Sequence, residues 1–578
     1  MLRFAFAMRT MLARGESWVP PNSITPREGA TISPRMVYRA RVLPSRRQVL
    51  SLGLAAPLAA CTPRPAPQTA PPADEVPASL RAHDDALERA MGAHSLAEWH
   101  AYTQEGTAPE GGLAALQVAE RALFERVRPE AERVLRDAPE GSRAHRAATL
   151  WLRGARGLAL VGDPETSRLA HELEARLNEH AFRQGERSLT RAEVRRMAGD
   201  DRSDARREAM MLQSQAHAAV ADVARALLQR RHAVARAQGV ASWGDAMLEL
   251  RGISPARWDT LDRDLDAGTR EAHLRRLDEG RRARGLAALA PWDITYALAE
   301  DTSWADAALP AHDALARVRR VLAGWGFDTE NPPVRVLVRE FAFGGQTLSI
   351  RVPDDVRTVL RAQAGFGFHR TLLHELGHAM QATRTTVPEA IFKGYEWVPG
   401  ISSPGFDEGM AETFALLFED PAVLHAHGGL DPAACTRLLA ITRRQRVGSL
   451  RATLAAVAFE RAALADPTQD LDVLQRAVLT RYHGVTHGPD APPTWANTPF
   501  LATYPIYQQS YVLAALVSSQ VHAALRARFG ERWYTPEGAS WVARALFAQG
   551  ERVPWERRIA EATGRPLDAQ DLLAHLAV

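Results

Sequence analysis

Thr371-Leu372-Leu373-His374-Glu375-Leu376-Gly377-His378-Ala379 decides how this chain of 578 residues is read, because Glu408 stands thirty positions after the second His, within Phe406-Asp407-Glu408-Gly409-Met410-Ala411-Glu412. Taken as a helix, Thr371 to Gln381 sets His374 and His378 one turn apart on one face, where both imidazoles reach a single ion. Glu375 then sits one step round, off the ligand axis but close enough to take a proton from a zinc-bound water, the part an H-E-x-x-H string assigns it. Two His do not complete a catalytic zinc site. A third protein ligand and an open water position are needed, and two His with one Glu is a known set.

Glu408 is the candidate third ligand. Asp407 to Phe418 reads as a helix with Phe414, Leu417 and Phe418 on its buried side, so Glu408 and Glu412 share a face one turn apart. Like charges at that spacing cost roughly a few tenths of a kcal/mol. Zinc on Glu408, with an imidazole N–H donated to Glu412 behind it, offsets that cost. An H-E-x-x-H string arises by chance in roughly a few per cent of chains this long, and two Glu on a helix are usually a solvated face. The Glu pair, the small Gly377 and Gly409 that permit close helix approach, and the apolar flank Thr371-Leu372-Leu373 together favour a site.

The two segments resemble the active site of the gluzincin peptidases related to angiotensin-converting enzyme and thimet oligopeptidase. Leu289-Ala290-Pro291-Trp292-Asp293-Ile294-Thr295-Tyr296 is similar to the Trp-Asp-x-x-Tyr segment of those enzymes, and Tyr504-Pro505-Ile506-Tyr507-Gln508-Gln509-Ser510-Tyr511 to their downstream Tyr cluster. With Leu228-Gln229-Arg230-Arg231 to Trp243 and Thr563-Gly564-Arg565-Pro566-Leu567, the likeness runs over about residues 80 to 578. It implies one zinc per chain on His374, His378 and Glu408, with Glu375 as general base and then acid. It further implies that Tyr511 donates its phenol to the oxyanion of a tetrahedral intermediate, with Tyr504 and Tyr507 as lesser candidates for substrate contact. A Tyr in a helix is, on its own, more often a core or rim residue.

Two departures limit the carry-over. Relatives place a His shortly before the Tyr cluster, but none lies between His487 and His522 here, so Tyr504, His483 or His487 would have to stand in. Relatives of the converting enzyme also fix a peptide's C-terminal carboxylate with a Lys, whereas the single Lys of this chain is Lys393, in another segment. An Arg could replace it as an anion partner.

The N-terminal region has the form of an export signal. Ser45-Arg46-Arg47-Gln48-Val49-Leu50 is of twin-arginine type, and the apolar stretch Leu50 to Leu58 is too short to span a bilayer. Leu58-Ala59-Ala60-Cys61 resembles a bacterial lipobox, in which the signal is cut before the Cys and the thiol receives lipid; the alternative is an uncleaved anchor or a chance Cys. Met36 is the expected start, since a signal from there has ordinary length and places Arg39 and Arg41 in its charged region. Residues 61–79 form a Pro-rich tether without a core of its own.

Composition agrees. Residues 1–60 hold nine Arg against two Glu, so of the formal +3 the rest of the chain carries about −4, and a nucleic-acid partner gains no support. The partners expected are oligopeptides and a membrane reached through the lipid on Cys61, with the enzyme in the bacterial envelope. Cys435 would then stand alone, so stability comes from the core.

Residues 80–330 carry apolar positions three and four apart, broken by short Gly, Pro and Asp segments, which reads as helix. One β signal interrupts the second half: Val334 to Val338 with Phe341-Ala342-Phe343, then Gly344-Gly345, then Thr347 to Val352, read as a hairpin with a Gly-Gly turn. It directly precedes the zinc helix, and the resemblance implies that, like the strand so placed in those peptidases, it lines the cleft and pairs with substrate backbone. The fold expected for residues 80–578 is mostly α, two interleaved helical subdomains around a deep substrate channel with a small sheet beside the zinc helix. The expected function is zinc-dependent hydrolysis of oligopeptides. The competing class is a non-catalytic envelope lipoprotein that binds peptides or cell-wall fragments, against which Glu375 speaks, since a binder needs no base. An aminopeptidase is disfavoured because the chain lacks a Gly-x-Met-Glu-Asn type string.

Overall fold

Helix after helix starts on a residue that supplies its own cap. Ser142, Asp163, Ser242, Ser254, Asp431 and Asp470 each accept a backbone N–H of the first turn, and Pro follows directly at 164, 255 and 432, where its missing N–H costs nothing. The computed structural model describes residues 74–339, 341 and 344–577. The export signal, Cys61 and most of the tether lie outside these residues.

The longer helices before the sheet are α1 (Asp84–Thr103), α2 (Gly112–Asp137), α3 (Arg143–Val161), α4 (Pro164–Glu179), α5 (Ser203–Ala218), α6 (Ala221–Ala237), α7 (Trp243–Leu250), α8 (Pro255–Ala283) and α9 (Ala314–Trp325). After it come α10 (Phe366–Arg384), α11 (Pro404–Ala415), α12 (Pro432–Ala465), α13 (Leu471–His483) and α14 (Gln508–Phe529), joined by shorter helical turns. The fold is thus mostly α, as expected. Among the described residues, no helix is long and apolar enough to cross a membrane.

Apolar burial divides into two large clusters that interleave in sequence. The smaller draws on α1, α2 and α3 through Leu87, Phe124 and Trp151, then on Val352 and the segment from Val387 to Ile401. The larger takes its residues from Leu160 at the end of α3 onward, including Trp243, Trp325, Phe414 and Trp533, and holds the helices around the paired His. From Glu75 onward the chain packs as one unit.

The β region differs from the hairpin expected. Both strands exist, β3 (Val334–Arg339) and β4 (Gly345–Arg351), but they do not pair with each other. A third strand, β5 (Asp355–Arg361), lies between them in the order β3-β5-β4, parallel to β3 and antiparallel to β4. The tight turn is therefore Val352-Pro353-Asp354, and the Gly-Gly pair leads into β4 at the far edge of the sheet. The charged Asp355, Arg357 and Arg361 disguise β5, yet Thr358 and Val359 at its centre are fully buried, because they point to opposite faces of the sheet and both faces are covered there. A second two-stranded hairpin, β1 (Phe182–Gln184) with β2 (Arg187–Leu189), interrupts the stretch read as all helix.

Three helices approach closely where small residues allow it. A Cβ on Gly377 of α10 would lie 2.8 Å from the Ala411 Cα of α11, and Cβ atoms on Gly405 and Gly409 of α11 would lie 2.6 Å from Leu513 and Val517 of α14. Each is well inside van der Waals contact, so only Gly fits. These contacts fix α11 between α10 and α14.

Candidate metal centre and active site

Helix α10 runs beyond the expected Thr371 to Gln381 at both ends, and α11 begins three residues before the expected Asp407, with Pro404 at its first turn. Phe414, Leu417 and Phe418 are fully buried as expected, the last two in a 3-10 turn that continues α11. With α10 and α11 locked at Gly377, His374, His378 and Glu408 converge: one donor atom from each lies within 4.8 Å of the others. Among the described residues no other group of three His, Cys, Asp or Glu does so. Glu408 Oε2 is 3.2 Å from His374 Nε2 and 3.9 Å from His378 Nε2. Both imidazoles keep about a fifth of their surface open, 21% and 24%, so solvent reaches the point they face.

The electrostatics of these groups call for a cation. Burial disfavours a charge on His374, yet Glu408 and Glu412 on either side outweigh it and push the imidazole up to about 10. His378, buried and facing His374, is pushed down to about 4 and is neutral, as a ligand must be. The space between the two imidazoles and the carboxylate therefore favours positive charge. Two neutral nitrogens and one carboxylate oxygen form a donor set that suits zinc.

The supports of this set are more extensive than the sequence reading supplied. Glu412 faces the far nitrogen of His374, with Oε2 3.6 Å from Nδ1, as expected. Its other oxygen is gripped by Arg370 and by Arg446 Nη2 at 2.5 Å, and these two Arg also hold the buried Glu419, at 3.0 and 2.7 Å. Burial alone would raise the Glu412 carboxyl, but the two Arg hold it below the ordinary range. Arg370 was legible, four residues before His374 on one helix face; Arg446, on α12, carried no local signal.

Glu375 is turned toward the sheet. Thr347 Oγ1 on β4 lies 3.0 Å from its Oε2 and 2.8 Å from its carbonyl oxygen, and a Cβ on Gly345 would sit 2.9 Å from its Cγ. Burial, and then the charge of Glu408, push its carboxyl up to about 7 against the lowering effects of His374 and Thr347. That is a suitable value for a general base.

The tyrosines divide their tasks. The Tyr507 hydroxyl, a candidate for substrate contact, donates to Glu408 Oε1 at 2.8 Å, leaving Oε2 toward the two His. Tyr511 stacks edgewise on Tyr507, and its hydroxyl is buried without a hydrogen-bond partner among the described residues. Burial and then the charge of Glu408 keep both phenols far from ionising, so both are donors. Tyr504 packs on the other side of Tyr507, rings 5.7 Å apart.

Other expected residues stand elsewhere. His483 and His487 face each other, 5.4 Å between rings, and the His483 carbonyl accepts from His273 on α8. Lys393 is paired with Glu88 on α1. Asp293, of the Trp-Asp-x-x-Tyr segment, is buried on Arg206 of α5 at 2.7 Å, and Tyr296 donates to Asp201, so that segment braces helices. Sequence reasoning missed Arg251, just after α7. Its guanidinium lies 4.9 Å from the Tyr507 ring centre, and burial pushes it down to about 10.

No protein-family model and no curated protein matches the sequence. Solved structures do match in shape. The chain is similar to Trypanosoma cruzi metallocarboxypeptidase 1, with a TM-score of 0.55 and 17% identity over 86% of this chain and 97% of that one. It is also similar to a Pyrococcus furiosus carboxypeptidase, with a TM-score of 0.57 and 16% identity over 86% and 98% of the two chains. At such identities the likeness is one of fold, and the chain has the fold of these two carboxypeptidases, with His374, His378 and Glu408 gathered as a set that could hold a metal ion.

Proposed function

We propose that this protein is a zinc peptidase acting on short peptides, with one zinc per chain on His374, His378 and Glu408. The observation that carries the reading is the convergence of those three donors beside a second carboxylate, Glu375, held on Thr347 with its pKa near neutrality. A bound zinc supplies a Lewis acid that polarises the scissile carbonyl and acidifies the attacking water. Glu375 takes the proton of that water and returns it to the leaving amine. Tyr511 donates its free hydroxyl to the carbonyl oxygen as negative charge develops there. Tyr507 holds Glu408, and Glu412 with its two Arg holds His374, so that neither ligand swings away.

Strand β4 is the edge of its sheet next to Glu375, which supports its pairing with substrate backbone. Its Ser349 carbonyl already accepts from Ser95 of α1, so the open part is the stretch around Gln346 and Thr347. The finer assignment is to the oligopeptidases and peptidyl-dipeptidases of the gluzincin group. The carboxypeptidase names of the two structural neighbours favour a second reading, single-residue removal from the C-terminus. Lys393, bound to Glu88, is not placed to receive a carboxylate. Export through Arg46-Arg47 and lipidation at Cys61 would put the enzyme in the bacterial envelope.

Digestion of a mixed peptide library by the purified chain, read by mass spectrometry with metal analysis, tests the reading. Wild type should carry about one zinc and cut peptides, and His378→Ala should hold far less than one. Stoichiometric zinc in His378→Ala, or no cleavage by zinc-loaded wild type, would overturn it; the positions of the cuts separate internal cleavage from trimming.

A further inference from the structure

The segment that carries the active-site tyrosines is held by two buried charges outside the metal centre. Ile506, between Pro505 and Tyr507, has φ of +59°, a left-handed conformation that a β-branched residue rarely adopts. It is fully buried, its Cδ1 3.5 Å from where a Cβ on Gly244 would stand. Its N–H donates to Glu460 Oε1 at 2.8 Å, and Glu460, on α12, is itself 3% exposed. On the near side of the same segment, Arg231 of α6, also 3% exposed, donates to the carbonyls of Leu501 and Ala502. The left-handed turn sends the chain into α14 with Tyr507 on Glu408 and Tyr511 one turn further on.

We infer that Glu460 is a positioning residue for the reaction: it holds Ile506 in its left-handed turn and so sets Tyr507 against Glu408 and the Tyr511 hydroxyl in the site. Buried strain of this kind persists only where the surroundings determine it, and it concentrates at functional sites. Without the carboxylate, the Ile506 N–H is buried and unpaired, and relaxation of the turn moves both tyrosines together. Misplacement by about 1 Å of groups that act in the transition state costs rate rather than substrate affinity. For its activity readout this inference rests on the peptidase reading.

The test compares Glu460→Gln, which keeps an oxygen to accept the N–H, Glu460→Ala, which does not, and Glu460→Ala combined with Ile506→Gly, where Gly adopts positive φ freely. Measurements are made well below each variant's melting temperature. Glu460→Ala should lower kcat at least about 10-fold with KM and zinc content nearly unchanged; Glu460→Gln should stay within about 3-fold of wild type, and Ile506→Gly should restore most of the loss. Hydrogen exchange of the metal-free proteins gives a readout independent of turnover: peptides covering residues 501–511 should lose protection in Glu460→Ala, while those covering α10 do not. If wild type cuts no peptide but this local loss appears, the peptidase reading fails and the positioning role stands. The inference is overturned if Glu460→Ala keeps wild-type kcat and protection, if Glu460→Gln is as impaired as Glu460→Ala, or if Ile506→Gly rescues nothing.

Discussion

Tyr511 and Thr347 separate the two halves of the proposed chemistry, charge stabilisation and proton transfer. The Tyr511 hydroxyl is a buried donor without a partner among the described residues, an arrangement that is expensive unless a ligand oxygen completes it. Acting mainly in the transition state, it should lower kcat by about 10²–10³ on Tyr511→Phe with little change in KM, measured by steady-state kinetics on one cleaved peptide. Thr347 stabilises the ionised form of Glu375, and Glu375 must be ionised to accept a proton, so activity is lost as pH falls through its pKa. Thr347→Val should therefore move the acid limb of kcat/KM to higher pH; a limb that stays in place removes Thr347 from the mechanism. At this scale the sequence was informative for residues whose spacing is itself the geometry. His374, Glu375, His378, Glu408 and Glu412 sit on two helices, and helical period places them. Arg446, Glu460 and Arg251 reach the site from distant elements, and no local spacing announces them.

The contacts among α10, α11 and α14 explain why the small residues of the motif segments matter. A Cβ on Gly377 would meet backbone of α11, which cannot retreat as a side chain could, so Gly377→Ala should push the helices apart at a cost of about 1–3 kcal/mol and weaken zinc binding. Gly367, on the same helix, has nothing within 4 Å of a Cβ, and Gly367→Ala should leave zinc affinity intact and stabilise by up to about 1 kcal/mol. Thermal melts and zinc titration of the pair check this, and equal behaviour would refute the packing argument. Helices were legible from period and caps. The sheet was legible only in part: two apolar runs flanking Gly-Gly resemble a hairpin, but pairing is decided by what lies between them in space. Here that is β5, whose charged ends hid a buried centre.

The molecule as a whole joins a helical body to an N-terminal region read from sequence alone. If Cys61 is the lipid site, mass spectrometry of the mature N-terminus should find a lipidated Cys61 as the first residue, and an unmodified peptide spanning Ala60-Cys61-Thr62 would remove the anchor from the account. Fold class was recoverable at this scale because long amphipathic segments and one short sheet admit few architectures, whereas substrate preference depends on side chains brought together from across the chain. The central claim is that one zinc and Glu375 hydrolyse peptides, and it is tested most directly by zinc content and turnover of Glu375→Gln beside wild type. Both proteins should hold about one zinc per chain, with wild type cutting peptides and the variant at least about 10²–10⁴-fold slower. Zinc-loaded wild type that cuts nothing, or a variant that cuts as fast as wild type, would contradict the claim.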